Sequence, residues 1–165
     1  LVVTGWRGWT VYETGGKGES VLFRREFDLA RFERKVRQYL SPEITLTGYE
    51  LKGVSDDEGE VKHPSFAEDL DQALSLLYQG ADYSYLVWPE PDDETKSDLK
   101  RLLDHYCPIL GLIFIMENEN PWEYRKAGRN SYTNDETKKR LLTALLSGGH
   151  YANSYVPDWA KKHEF

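Results

Sequence analysis

In the middle of the chain, a segment with apolar residues at helical spacing is followed by a continuous apolar run, and this order occurs twice. A capping box over residues 65–68, in which two side chains satisfy free backbone N–H groups, predicts the start of a helix. That helix ends near Gly80, a residue suited to a left-handed cap. An apolar run over 83–88, a helical pattern over 94–106 and a further apolar run over 109–116 follow. Because parallel strands need a crossover connection, usually a helix, this order predicts the parallel part of a sheet.

The first third of the chain is extended. Residues 9–13 are β-branched and aromatic, and the glycine-rich run 14–18 behind them is a strong turn signal. Extended patterns return over 21–34 and 44–54, on either side of a break that contains a proline. Connections of this length fit hairpins between antiparallel strands. We therefore expect an α/β fold in which a central mixed β-sheet is flanked by helices.

The last third of the chain, residues 117–165, is predicted to be a helical extension of the same single domain, whose core spans about residues 9–116. A second capping box over 133–136 precedes leucines at helical spacing. The aromatic residues of this segment, interspersed with basic ones, suit either packing on the sheet or stacking on unpaired bases. Packing on the sheet is the favoured interpretation.

Composition limits the partners and the compartment. The net charge of -7 weighs against non-specific adhesion to nucleic acid, so a nucleic-acid site has to be local. Basic residues cluster over 24–37 and 138–140, where a solvated face is the competing interpretation. No apolar run reaches the roughly 20 residues that cross a bilayer, and the chain opens without a signal-peptide pattern. With the single cysteine Cys107, an internal disulfide is excluded, and we expect a cytoplasmic protein without a membrane role.

Three polar residues of the extended region are predicted to converge. Glu50 and Lys52 are two positions apart on one strand, so they project from the same face, whereas Leu51 points the other way, into the core. A hairpin turn centred near Tyr39 places Asp28 opposite Glu50. Two carboxylates supply the oxygen ligands that Mg²⁺ prefers, and a lysine beside them can orient a water or stabilise negative charge on a phosphodiester.

These segments resemble the core of the PD-(D/E)XK nuclease superfamily, which has the restriction-endonuclease-like fold. The matching parts are the run 27–29, the run 48–53 with its Glu-x-Lys element, a following helix that bears Gln72, and the strand over 83–88. The resemblance covers roughly residues 9–116.

The resemblance implies a role for each residue of the group. Asp28 and Glu50 would ligate a divalent metal, Mg²⁺ or Mn²⁺, Lys52 would assist the attacking water, and Gln72 would support the site. The family usually has a helix before the first strand, often with a further acidic residue, and this chain has no room for that helix. Glu13 is a candidate substitute for its acid.

The implied function is metal-dependent hydrolysis of phosphodiester bonds in nucleic acid, in DNA rather than RNA, with a homodimer left open. The acidic stretch 56–60 lies just past Lys52 and would repel a polyanion unless it turns away. The alternative is therefore a catalytically inactive nuclease-fold protein that binds nucleic acid or a protein partner. A third interpretation is an acidic module that binds a basic protein, which fits the net charge but leaves the convergence of Asp28, Glu50 and Lys52 unexplained.

Overall fold

The structure is a computed structural model. It describes residues 2–13, 19–36, 38, 40, 42–52, 66–116, 120–133, 135–136, 138–139, 142–143 and 158–162. The strands within these ranges are β1 (Val2–Glu13), β2 (Glu19–Lys35), β3 (Glu43–Leu51), β4 (Tyr83–Pro89), β5 (Gly111–Ile115) and β6 (Trp122–Arg125). The helices are α1 (Phe66–Tyr78), α2 (Asp93–Tyr106) and the short α3 (Asp158–Lys161), and residues 135–136, 138–139 and 142–143 are also helical.

The six strands form one sheet in which they lie in chain order. β1, β2 and β3 are joined as an antiparallel meander. β4 runs parallel to β3, and β5 runs parallel to β4, with α1 and α2 as the two crossover helices. β6 returns antiparallel to β5. The predicted α/β class and mixed sheet are confirmed.

The sheet is larger than the sequence pattern predicts. β1 begins at Val2 rather than at residue 9. The sequence prediction does not contain β6 and places its residues in a helical extension. The strand is missed because four alternating aromatic and charged residues form too short a pattern to identify it. The rings of Trp122 and Tyr124 lie 5.7 and 5.0 Å from the ring of Phe114. These two aromatic side chains therefore pack against a neighbouring strand of the sheet, in line with the favoured interpretation, whereas Tyr132 of the same segment is 94% exposed.

The ends of the two long helices follow local capping rules. α1 begins at the predicted place, although Ser65 of the capping box lies outside the described residues. Gly80, just beyond its last turn, has a φ of 101°, the left-handed conformation that favours glycine. α2 begins one residue earlier than predicted, because the side chain of Asp92 accepts a hydrogen bond from Thr95 N at 2.8 Å and so caps the helix. The same hydrogen bond lowers the pKa of Asp92 below its ordinary value.

One apolar core lies between the sheet and the two crossover helices. Its buried members are Ala73, Leu86, Leu99, Leu103, Leu110, Leu112 and Phe114. The buried apolar stripe of α2 is narrower than the sequence pattern predicts, since Leu102 and Tyr106 are exposed, the latter at 74%. Both helices cover this face of the sheet. α1 packs against β3 and β4, so the side chains of these two strands that point to this face lie beneath α1.

The opposite face of the sheet carries a tyrosine pair. The rings of Tyr49 and Tyr85 stack with centroids 5.5 Å apart. The hydroxyl of Tyr85 donates a hydrogen bond of 2.7 Å to Glu123 Oε2. Next to Tyr85 in the sheet stands Gly111, where a Cβ would overlap the tyrosine ring. The glycine thus leaves the space that the buried ring occupies.

The buried phenol predicts a loss of stability in alkaline solution. Burial, supported by the hydrogen bond to Glu123, raises the pKa of Tyr85 to about 12 from its ordinary 10.0. The neutral phenol is thus favoured by folding, and this contribution is complete below pH 10 and is lost as the pH rises through 12. The difference between the pKa of Tyr85 in the folded protein and its ordinary value corresponds to about 3 kcal/mol in the free energy of unfolding.

Urea unfolding at about pH 8 and about pH 11 measures this contribution. Tyr85→Phe should cost about 1 kcal/mol at the lower pH, from the lost hydrogen bond, and should lose less stability than the wild type between the two pH values. Tyr132→Phe, at a side chain that is 94% exposed, is the matched control. An equal alkaline loss in wild type and Tyr85→Phe would contradict the assignment.

A buried ion pair joins the C-terminal part of the chain to the start of β4. Asp82, which is fully buried, accepts hydrogen bonds from Leu46 N at 2.8 Å and Thr133 Oγ1 at 3.0 Å. Lys138 Nζ lies 3.1 Å from both Asp82 carboxylate oxygens and donates to Ile44 O at 2.6 Å. The competing interpretation of the basic run 138–140 as a solvated face therefore does not hold for Lys138, which is 1% exposed.

Candidate active site at the end of strand β3

The register between β2 and β3 places Asp28 beside Glu50. Leu29 pairs with Tyr49 and Ala30 with Gly48, so the next position along this antiparallel ladder sets Asp28 opposite Glu50. The hairpin register predicted from a turn near residue 39 is confirmed. Asp28 Oδ2 accepts a hydrogen bond of 2.8 Å from Leu51 N, which fixes its carboxylate against the last residue of β3.

Glu50 and Lys52 project toward α1, as alternation along a strand requires. Lys52 Nζ lies 2.7 Å from Glu50 Oε1, and the Glu50 residue is 5% exposed. Lys52 N donates to Val87 O at 2.9 Å, which continues the pairing with β4 one residue beyond β3. Leu51 is 45% exposed, so the expectation that it points into the core is wrong; the face to which it points is solvated at this end of the sheet.

Helix α1 brings Gln72 onto the same lysine. Lys52 Nζ donates a hydrogen bond to Gln72 Oε1. The backbone carbonyl of Gln72 in turn accepts from Ser75 Oγ at 2.7 Å. Of the four residues predicted from the sequence, Glu50, Lys52 and Gln72 thus contact one another where the parallel strands β3 and β4 end, and the Asp28 carboxylate lies next to them on Leu51 N. Ligands of open α/β sheets bind at such carboxyl ends.

Asp69, also on α1, belongs to this group and is missed by the sequence prediction. Its carboxylate is buried, with Oδ1 3.9 Å from Lys52 Nζ. Its other oxygen, Oδ2, accepts a hydrogen bond of 2.9 Å from Trp88 Nε1 on β4. The signal that could have found it is an acid three residues before Gln72, on the same helix face.

Three oxygen atoms therefore surround the ammonium group of Lys52. Glu50 Oε1, Gln72 Oε1 and Asp69 Oδ1 belong to two different elements, β3 and α1. The side chain of Lys52 is 22% exposed, so the ammonium is partly shielded but reachable from solvent. A cation held in this way can stabilise negative charge or orient a water at the end of the sheet.

The carboxylates of Asp28 and Glu50 have the ligand type that Mg²⁺ prefers. Mg²⁺ is commonly bound through one or two carboxylates while it keeps several waters. In the part of the chain that the structure describes, no group of three or more His, Cys, Asp or Glu side chains is placed to hold a metal ion. The two carboxylates fit such a partly hydrated ion in chemistry, with Asp28 fixed by Leu51 N and Glu50 by Lys52.

The sequence contains two further acidic features and a basic cluster. The acidic stretch 56–60 and the side chain of Glu13 are outside the described part of the chain. Within the basic cluster over 24–37, Arg31 pairs in register with Thr47, so it projects from the face opposite Glu50. Its guanidinium lies 2.6 Å from Glu33 Oε1, and both side chains are about half exposed. Arg31 therefore adds no positive charge to the face that carries the candidate site.

Comparison of the chain with protein-family models, with curated proteins and with solved structures gives no match. No helix among the described residues has the length and apolar character that spanning a membrane requires.

Proposed function

We propose that this protein is a metal-dependent nuclease of the restriction-endonuclease-like PD-(D/E)XK class that hydrolyses phosphodiester bonds in DNA. The observation that supports the proposal is the contact of Lys52 with Glu50 and Gln72 where β3 and β4 end, with the Asp28 carboxylate on Leu51 N beside them. The order of strands and helices is that of the resemblance, namely an antiparallel meander, a helix and a parallel strand. The proposed setting is the cytoplasm, and the proposed partner is DNA, with a homodimer as an assembly to be tested.

Each residue has a separate task in this proposal. Asp28 and Glu50 would hold Mg²⁺ or Mn²⁺, which supplies Lewis acidity to the phosphodiester and lowers the pKa of a bound water. Lys52 would orient the attacking water or stabilise the negative charge that develops on the phosphate. Gln72 would keep the lysine in place through the hydrogen bond from Nζ to its side-chain oxygen. Since the net charge is -7, affinity for DNA would have to come from a local site, where the metal ion and Lys52 would supply positive charge.

A second candidate is a nuclease-fold protein that binds nucleic acid or a protein partner without cutting. The observation in its favour is that the ammonium of Lys52 is already engaged by Glu50, Gln72 and Asp69. Because the lysine at 2.7 Å offsets the negative charge of Glu50, this carboxylate attracts a metal ion less strongly than an unpaired one would.

Metal binding and turnover separate the two candidates. The nuclease proposal expects heat on titration with Mn²⁺, lost in Asp28→Asn, and cleavage of supercoiled, linear or single-stranded DNA that chelation abolishes. Asp71→Asn, an exposed acid on α1 with the same change of charge, should bind Mn²⁺ as the wild type does. A folded protein that binds no Mn²⁺ and cuts no DNA or RNA form would support the second candidate and reject the first.

A further inference from the structure

We propose that Asp69 is a positioning residue that holds the ammonium of Lys52, and that Trp88 sets the direction of the Asp69 carboxylate. This inference deepens the proposed function and rests on it for its catalytic consequence. It adds two residues that the resemblance does not supply. Neither of them is placed to touch the phosphodiester in this proposal, since both act through Lys52.

The burial of Asp69 indicates that its charge has a partner. Moving a carboxylate out of water is costly unless hydrogen bonds and an opposite charge compensate it. Among the described residues the hydrogen bond comes from Trp88 Nε1 at 2.9 Å, and the opposite charge is Lys52 at 3.9 Å. One oxygen is thereby committed to the indole, and the other is directed to the lysine.

Trp88 is itself held in place. Its ring makes an edge contact with Phe66, with ring centroids 5.3 Å apart, and Phe66 opens α1. The indole N–H is the donor that fixes which oxygen of Asp69 faces the sheet and which faces Lys52. The direction of the carboxylate thus depends on a residue of β4 and not on α1 alone.

The need for Asp69 follows from the double task of Glu50. In the proposed function Glu50 is a metal ligand, and in the structure it is also the carboxylate nearest to Lys52. A carboxylate shared with a metal ion offers less negative charge to the lysine. Asp69, which is buried on α1 and assigned no metal, supplies a second anion that keeps the long, flexible side chain of Lys52 at one position.

Asp69→Asn tests the role of the charge, with Asp71→Asn as the control on the same helix. The amide oxygen can still accept from Trp88, so the fold is expected to persist, as circular dichroism can verify. With DNA and metal present, kcat should fall about tenfold or more at unchanged KM, because a displaced lysine acts on the transition state rather than on binding. ¹⁵N relaxation of the Lys52 ammonium should show increased mobility in Asp69→Asn and not in Asp71→Asn, and the increase should be larger with Mg²⁺ than in the metal-free protein, where Glu50 is not shared with a metal ion.

Trp88→Phe tests the orientation of the carboxylate, with Trp122→Phe on β6 as its control. The phenyl ring retains an apolar contact with Phe66 but has no N–H to donate. In Trp88→Phe, kcat should fall and the mobility of the Lys52 ammonium should rise, as in Asp69→Asn but by a smaller factor. The double variant Asp69→Asn/Trp88→Phe should be no slower than Asp69→Asn, since both residues act through one carboxylate.

The outcomes distinguish the inference from the function on which it rests. Cleavage by the wild type with unchanged kcat and unchanged Lys52 mobility in Asp69→Asn would overturn the positioning role and leave the nuclease proposal standing. A wild type that never cleaves, together with a Lys52 ammonium that becomes mobile in Asp69→Asn, would reject the nuclease proposal and retain the positioning role. An inactive wild type with no change in Lys52 mobility would overturn both.

Discussion

Glu50→Gln is expected to lower the rate of DNA cleavage by a factor on the order of 10³, with the protein still folded. The substitution keeps the shape of a side chain that is 5% exposed but removes the negative charge that faces Lys52 and would hold the metal ion. Lys52→Met should have an effect of similar size, because it removes the cation next to the site. Single-turnover cleavage of a labelled DNA at saturating Mn²⁺ measures the chemical step for each variant.

The matched control is Glu68→Gln, at an exposed acid in the first turn of α1. It carries the same change of charge and should cleave at the wild-type rate. Mn²⁺ affinity should fall in Glu50→Gln and persist in Lys52→Met, since the lysine is not assigned as a ligand. Cleavage at the wild-type rate in both site variants would remove Glu50 and Lys52 from any catalytic role.

The second large effect concerns stability, at the other end of β4. Asp82→Ala is expected to lower the free energy of unfolding by about 3 kcal/mol, because the buried ammonium of Lys138 loses its buried carboxylate partner and keeps Asp135, which lies at 2.9 Å and is 56% exposed. It also removes the acceptor of the hydrogen bonds from Leu46 N and Thr133 Oγ1. Urea unfolding followed by tryptophan fluorescence gives the difference.

Two further variants show whether the loss comes from the buried ammonium of Lys138 once Asp82 is removed. Asp82→Ala combined with Lys138→Met should recover part of the stability, since no buried ammonium then remains. Asp104→Asn, which disturbs partly exposed pairs with Lys100 and Arg125, should cost far less stability than Asp82→Ala. A loss of similar size in Asp82→Ala and Asp104→Asn would show that the buried pair has no special contribution.

The stability effect and the catalytic effect are expected to be independent. Asp82 immediately precedes β4, whereas Val87, near the end of the same strand, accepts the backbone hydrogen bond of Lys52. The ion pair and the candidate site therefore lie toward opposite ends of β4. Under conditions where Asp82→Ala is folded, its rate of cleavage should match that of the wild type.

Local patterns were sufficient to predict the strands and helices that carry the candidate site. The capping box and apolar spacing identify α1, and the glycine at residue 80 has the backbone conformation that its type suggests. A constant register along one hairpin was enough to place Asp28 opposite Glu50. Both inferences rely on short-range periodicity, which is written into consecutive residues.

Local patterns failed where a side chain finds its partner far along the chain. Lys138 reads as part of a solvated basic run, yet its ammonium is buried against Asp82, 56 residues away. Asp69 reads as a first-turn acid of α1, yet its partners are Trp88 on β4 and Lys52, one residue beyond β3. β6 reads as part of a helical extension, and pairing with β5 makes it a strand.

Periodicity and spacing within the chain were thus enough to establish an α/β fold with a mixed sheet and to bring Asp28, Glu50 and Lys52 to one end of it. Only the tertiary structure shows which charged side chains are buried, that Asp69 supplies a third oxygen beside Lys52, and that β6 is the last strand of the sheet. The physical reason is that periodicity reports which face a residue occupies, whereas the identity of the group that packs against that face depends on crossover connections. Side-chain hydrogen bonds between residues 20 or 56 positions apart have no periodic trace in the sequence.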